Sequence, residues 1–247
     1  MRRVALVLLL LLAGACNHDS PAALVETPSP VVTTEAPSPT SVRTTPPTMP
    51  SPTATKTAAR ATAYSVRPVT AADLPHSWHP GCPVAPSQLR LVQVPFYGFD
   101  GAKHQGELVV RSNVAAAVGR TFVRLYEQRF PIRSMRRVDD FGGSDDQSMA
   151  ADNTSGFNCR AAVGGNGSWS QHAYGLAVDI NTRENPYVYD GKVEPPEGRP
   201  YADRSPTRKG MIAAGGPEVR AFAAIGWKWG GNWSGSKDYQ HFSSNGR

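Results

Sequence analysis

Two short segments hold the residues best suited to chemistry. The first is Ser170-Gln171-His172-Ala173-Tyr174-Gly175-Leu176-Ala177-Val178-Asp179-Ile180-Asn181, and the second is Lys237-Asp238-Tyr239-Gln240-His241-Phe242, preceded by the Trp- and Gly-rich run Trp227 to Trp233. Two imidazoles and a carboxylate, with a fourth position open to water, are the usual makeup of a catalytic zinc site, so His172, Asp179 and His241 are candidate ligands. Lone histidines are more often structural, and His76, His79 and His104 receive no role.

From Leu176 onward the first segment alternates: Leu176, Val178 and Ile180 form an apolar face, and Ala177, Asp179 and Asn181 point the other way, as in a strand with one buried side. His172 and Asp179 would lie roughly 23 Å apart in an extended chain at about 3.3 Å per residue, and about 10 Å apart in a helix. Neither lets both grip one ion, so the chain must bend at Tyr174-Gly175, where glycine tolerates a tight turn. Asp238 stands three residues before His241, a spacing that opposes the two in a regular strand. A turn between them would let Asp238 act as general base toward a metal-activated water.

Ser170-x-His172 followed by Gly175, Ala177 and Asp179, with Asp238-x-x-His241 near the end, resembles the D-alanyl-D-alanine carboxypeptidases and L-alanyl-D-glutamate endopeptidases, the VanY-like zinc peptidases. The resemblance runs from about residue 150 onward. It implies zinc held by His172, Asp179 and His241, Asp238 as catalytic acid/base, Ser170 at the substrate, and an upstream arginine that steadies the oxyanion. Ser155-Gly156-Phe157-Asn158-Cys159-Arg160 is similar to the family's Ser-Gly-Tyr-Arg segment, with two extra residues before the arginine; Arg160 and Arg133 both remain open for the role. The base is Asp where many relatives carry Glu. The implied substrates are cell-wall stem peptides, trimmed at a terminal D-Ala or cut internally; a non-catalytic protein binding wall peptides or metal through the same residues is the alternative. Among the aromatics, Trp169, Tyr174, Trp227, Trp229 and Trp233 either line a substrate groove or pack, and Trp229 is the one assigned to substrate.

The elements that must position these groups follow a modular plan. Met1-Arg2-Arg3, an apolar run Val4 to Ala13 and then Gly14-Ala15-Cys16 read as an export signal over residues 1–15, short of the roughly 20 residues a membrane-spanning helix needs. Cleavage after Ala13-Gly14-Ala15 and lipidation of Cys16 compete, with lipidation favoured. Residues 16–65, dominated by Pro, Thr, Ser and Ala, form a disordered tether, and residues 66–247 form the peptidase domain. Cys82 and Cys159 are an even pair in an oxidising compartment, which makes a disulfide the natural reading.

A net charge of +6 suits anionic wall polymers or lipid headgroups. The export signal argues against nucleic acid, and Arg133, Arg136 and Arg137 read as a solvated strand face. The expected partners are stem peptides and, through an N-terminal lipid, the membrane; the protein is expected to be monomeric.

Within the domain, Leu89 to Phe99 and Gly106 to Arg111 read as two strands of a hairpin, and Asn113 caps a helix whose apolar stripe runs Val114, Val118, Phe122, Leu125 to Phe130. Ile132 to Val138 reads as a further strand, residues 142–156 as a long polar loop whose Asp145, Asp146 and Asp152 are loop acids, and Pro217 as the start of a helix ending at Gly226. The whole is an α+β fold: a small antiparallel sheet flanked by helices, the zinc site on the sheet face, preceded by the tether.

Overall fold

The computed structural model describes residues 63–164 and 167–247. The expected signal segment, Cys16 and the expected tether up to residue 62 lie outside the described residues.

Three strands open the fold: β1 (Ser65–Pro68), β2 (Leu89–Tyr97) and β3 (Lys103–Arg111), in an antiparallel sheet ordered β1-β2-β3. Leu91, Val92, Val94, Leu108, Val109 and Val110 are buried on its two faces. α1 (Ala115–Glu127) follows and lays Val118, Phe122 and Leu125 against this sheet. Its N-cap is Val114 rather than Asn113, because a tight turn after β3, closed by Val114 N–H donating to the Arg111 carbonyl, sets Asn113 one position early.

The expected strand over 132–138 shrinks to β4 (Ser134–Met135), paired in parallel with β5 (Asn153–Thr154). Side-chain amides explain the loss: the N–H of Arg133 is taken by Asn181 Oδ1 and that of Arg136 by Asn153 Oδ1, so no ladder extends past this point. The polar stretch 142–156 is not all loop. It contains α2 (Asp145–Ala150), whose N-cap Ser144 accepts the Gln147 N–H.

β6 (Ala177–Asp179) runs antiparallel to β11 (His241–Ser243), which also pairs with β9 (Lys228–Trp229). Val178 and Ile180 face the main core as the alternation requires, but Ala177, Asp179 and Asn181 are buried too. Ser155 bridges to Asp179 on the strand's free edge, so β6 is flanked on both sides rather than half-open. A third three-stranded sheet is built from β7 (Tyr187–Tyr189), β8 (Lys192–Glu194) and β10 (Lys237–Asp238), ordered β10-β7-β8. The short α3 (Arg199–Ala202) and then α4 (Pro217–Ala223) intervene, and α4 buries Phe222 between Phe122 and Phe242, stacked on the latter at 4.2 Å.

Cys82 and Cys159 are joined, with Cα atoms 5.9 Å apart. The bridge ties a second apolar cluster of Leu74, Val84, Leu89, Leu91, Val109 and Phe157 to the segment entering the site. Arg133, Arg136 and Arg137 are not a bare cationic face: each is paired with a carboxylate, Arg133 with Asp152 and Glu184, Arg136 with Asp140, and Arg137 with Glu107 and Asp140.

Candidate metal centre

The bend that joins the two ends of the first motif is a turn of 3-10 helix, Gln171–Tyr174. Ser170 caps it by accepting the His172 N–H, and Gly175 ends it in the left-handed region at φ 66°. A side chain at Gly175 would run into the backbone of β3, 2.6 Å from the Arg111 nitrogen, so glycine is required by space as well as by conformation. The reversal brings His172 beside β6, and the β6–β11 register sets His241 directly opposite Asp179.

The three side chains therefore converge. His172 Nε2 lies 3.1 Å from Asp179 Oδ2, His241 Nδ1 lies 3.0 Å from Asp179 Oδ1, and the two ring nitrogens are 3.2 Å apart. All three residues are buried. Each outer ring nitrogen faces a carbonyl, which can only accept: His172 Nδ1 donates to Gly156 O at 2.6 Å and His241 Nε2 to Arg247 O at 3.2 Å. In the neutral rings the inner nitrogens then carry lone pairs, so three acceptors point at one spot. That arrangement calls for a cation. Zinc with bonds of roughly 2.0–2.1 Å would set tetrahedral ligands about 3.3 Å apart, close to the spacing seen.

The local field agrees. Burial works against the His172 imidazolium, yet the charge and hydrogen bond of Asp179 outweigh it, and the ring's pKa is raised. Burial also disfavours an ionised Asp179, but the two histidines overcome it and hold that carboxyl well below the usual range.

Asp238 ends β10, and the bend at Tyr239-Gln240 separates it from His241, as the motif spacing demanded. Its Oδ1 is buried and, among the described residues, has no hydrogen-bond partner. Burial is the main reason the carboxyl is pushed up to about 7; Asp179's charge adds to it, and His241 and Arg160 oppose it. Gly230 permits the approach, since a Cβ there would meet the Asp238 carbonyl at 2.6 Å and the His241 Cβ at 3.3 Å.

A cleft of about 460 Å³ opens over these groups. The two arginines part company here. Arg160 lines the cleft, with Nε 2.9 Å from Asp145 Oδ2, whereas Arg133 does not line it and is stacked on Phe99 and paired with Asp152 and Glu184. Ser170 lines the cleft and is also the cap of the His172 turn.

Trp229 is a correction. It is a core residue, 4% exposed, opposite Phe242 in the β9–β11 ladder, with Nε1 donating to the Tyr239 carbonyl at 2.8 Å. The tryptophans on the cleft wall are Trp169 and Trp233; Trp227 is core, and Tyr174 packs on the second apolar cluster.

Asp145, Tyr187, Glu194 and Gln240 also line the cleft, though the motifs assign them no role. For the hairpin carrying Tyr187 and Glu194 a signal existed: Tyr187-Val188-Tyr189 and Lys192-Val193-Glu194 flank Asp190-Gly191, both at positive φ, the two-residue turn such dipeptides favour.

Residues 164–244 match the D-alanyl-D-alanine carboxypeptidase family model. No curated protein and no solved structure matches the chain. The matched stretch contains His172, Asp179, Asp238 and His241. Arg160, Asp145 and Gly156 lie upstream of it and belong to the site by geometry alone.

Proposed function

We propose that this protein is a zinc peptidase hydrolysing peptide bonds of peptidoglycan stem peptides, in the manner of a D-alanyl-D-alanine carboxypeptidase. The observation that carries the reading is the convergence of three buried acceptor atoms beside a carboxylate oxygen that has no partner among the described residues. His172, Asp179 and His241 would hold the ion, and the carbonyls of Gly156 and Arg247 keep both rings in the tautomer that offers a lone pair. When bound, zinc supplies a Lewis acid that lowers the pKa of a water toward ~7 and polarises the scissile carbonyl.

The chain's own residues do the rest. Asp238 Oδ1 is free to accept the proton of the attacking water and return it to the leaving amine. A carboxyl near pH 7 in the protein alone is shifted toward ionisation by a neighbouring cation, which suits a base at neutral pH. Arg160, oriented by Asp145, presents positive charge in the cleft to the developing oxyanion. The Ser170 hydroxyl stands at the cleft wall beside His172, where it is placed to meet the peptide.

The Cys82–Cys159 bridge supports an extracytoplasmic setting, where disulfides persist. In this proposal the Cys16 lipid anchors a monomer to the outer membrane surface, facing the wall. Among the described residues no helix is long and apolar enough to cross a membrane.

Incubating the purified protein with muropeptides and reading products by mass spectrometry tests the activity. Loss of one terminal alanine, abolished by chelator and by Asp238→Asn, is the expected result. Scission inside the stem would make it an endopeptidase of the same architecture. Zinc binding without any cleavage would overturn the enzymatic reading and leave a wall-peptide- or metal-binding protein.

A further inference from the structure

The sheet β10-β7-β8 carries one residue of the proposed machinery and two that have no role in it. Strand register aligns them: Asp238 pairs with Tyr187, and Tyr187 pairs with Glu194. Directly paired residues share a face of the sheet, and all three line the cleft. With neighbouring strands about 4.8 Å apart, Glu194 sits two strands and roughly 10 Å from Asp238, with the Tyr187 ring between them.

Glu194 is poised to receive something. One oxygen accepts the Tyr189 hydroxyl at 2.6 Å, and among the described residues no lysine or arginine pairs with the carboxylate. Lys192, two positions back on the same strand, rests its ammonium 5.6 Å over the Tyr189 ring rather than on Glu194. Tyr187 and Tyr189 stack at 4.5 Å, and Trp233 meets Tyr187 edge-on, so the path from Asp238 to Glu194 is floored by half-buried aromatic surface. An apolar floor ending in an unpaired carboxylate matches an alkyl chain that ends in an ammonium. A lysine-like side chain reaches about 6 Å and each peptide residue adds about 3.3 Å, so a diamino residue next to the scissile pair spans the distance.

We infer that Glu194 selects peptides that carry a free side-chain ammonium on the residue preceding the scissile pair, holding it at the far end of the Tyr187 floor. This rests on the peptidase reading for its catalytic readout. The acidic group is thus a specificity determinant, distinct from the base it is aligned with.

The test uses two Nα-acetylated peptides of sequence Lys-D-Ala-D-Ala, one with a free lysine ε-amine and one with that amine acetylated as well, on the zinc-loaded wild-type protein and on Glu194→Gln. Glutamine keeps the size and the acceptor for Tyr189 but loses the charge. The wild type should favour the free amine by about tenfold in kcat/KM, carried by KM, and Glu194→Gln should bring the two peptides level. Equal treatment of both peptides by the wild type, or an undiminished preference in Glu194→Gln, overturns the inference. Calorimetric binding of the same peptides reads the preference without turnover. If neither peptide is cleaved while the binding preference is present and charge-dependent, the peptidase reading fails and the Glu194 site stands.

Discussion

Replacing Gly175 with alanine should separate the strain of a backbone angle from the strain of a collision. At φ 66° an L-residue costs roughly 1–2 kcal/mol. The added Cβ would also lie 2.6 Å from the Arg111 nitrogen, 2.9 Å from Leu89 Cδ2 and 3.1 Å from the Val110 carbonyl carbon, two of which are backbone atoms of β3 that no rotamer change can move. Overpacking of this kind costs about 1–3 kcal/mol, and displacing the Arg111 N–H from the Gly175 carbonyl, now 2.8 Å apart, costs about 1 kcal/mol more. The total is on the order of 3–6 kcal/mol. Gly101→Ala is the internal control: φ is 78° and nothing stands within 4 Å, so only the conformational cost of roughly 1–2 kcal/mol applies. Urea unfolding of both variants at one pH, in the presence of a chelator, measures the difference. Chelator competition then asks whether zinc affinity falls with Gly175→Ala, since His172 hangs on the same turn. Equal destabilisation by the two substitutions would refute the claim that β3 and the His172 turn are fitted backbone to backbone.

Three further outcomes follow from the same structure. Burial, with the neighbouring Asp152, pushes Glu184 up to about 8 from 4.5, so the folded state holds a proton that the unfolded chain has lost; stability should fall as pH rises from about 4.5 through 8, and Glu184→Gln should flatten that decline in urea midpoints taken across the range. The Cys82–Cys159 bridge has a sequence separation of 77 residues, so the double Cys→Ser variant should lose up to about 4–5 kcal/mol on loop-closure grounds, checked against the reduced wild type; a loss under 1 kcal/mol would contradict it. Trp229→Ala should cost about 3–5 kcal/mol as a core truncation, whereas Trp233→Ala should leave the melting temperature nearly unchanged and raise KM for the stem peptide.

What could be read from the sequence is what local pattern controls. The His172 turn, its Gly175 stop, the α1 stripe and the β2–β3 hairpin each depend on residues within a few positions of one another, and each appears where expected. The convergence of His172, Asp179 and His241 was legible because their motifs combine rare residue types at fixed spacing. Features set by long-range pairing were not. Asn181 and Asn153 intercept the backbone of 133 and 136 from residues 17 to 48 positions away, and no propensity of Ile132 to Val138 announces it. Trp229 and Trp233 share composition and neighbourhood, yet the first pairs into the β9–β11 ladder and the second follows a 3-10 turn, Gly230–Asn232, that redirects the chain to the cleft. Asp145 looked like a loop acid until α2 brought it to Arg160.

The candidate ligands lie in the stretch that matches the family model, but the groups that orient them do not all lie there. β3 is the link. Its end holds both approaches to the candidate metal centre: the Phe157 N–H donates to the Val109 carbonyl at 2.7 Å, fixing Gly156 where its carbonyl receives His172 Nδ1, and the Arg111 N–H donates to the Gly175 carbonyl at 2.8 Å, fixing the turn that carries the same ring. One strand end therefore sets His172 from its backbone and from its imidazole. Asp145 on α2 and the Cys82–Cys159 bridge act on Arg160 from the same upstream half. The apolar face beneath, Val178, Ile180 and Phe242, is covered in turn by β2, β3 and α1. Residues 164–244 without that half would bare this face to water and leave His172 free to rotate away from Asp179, so the upstream half is part of the site even though the family resemblance does not reach it.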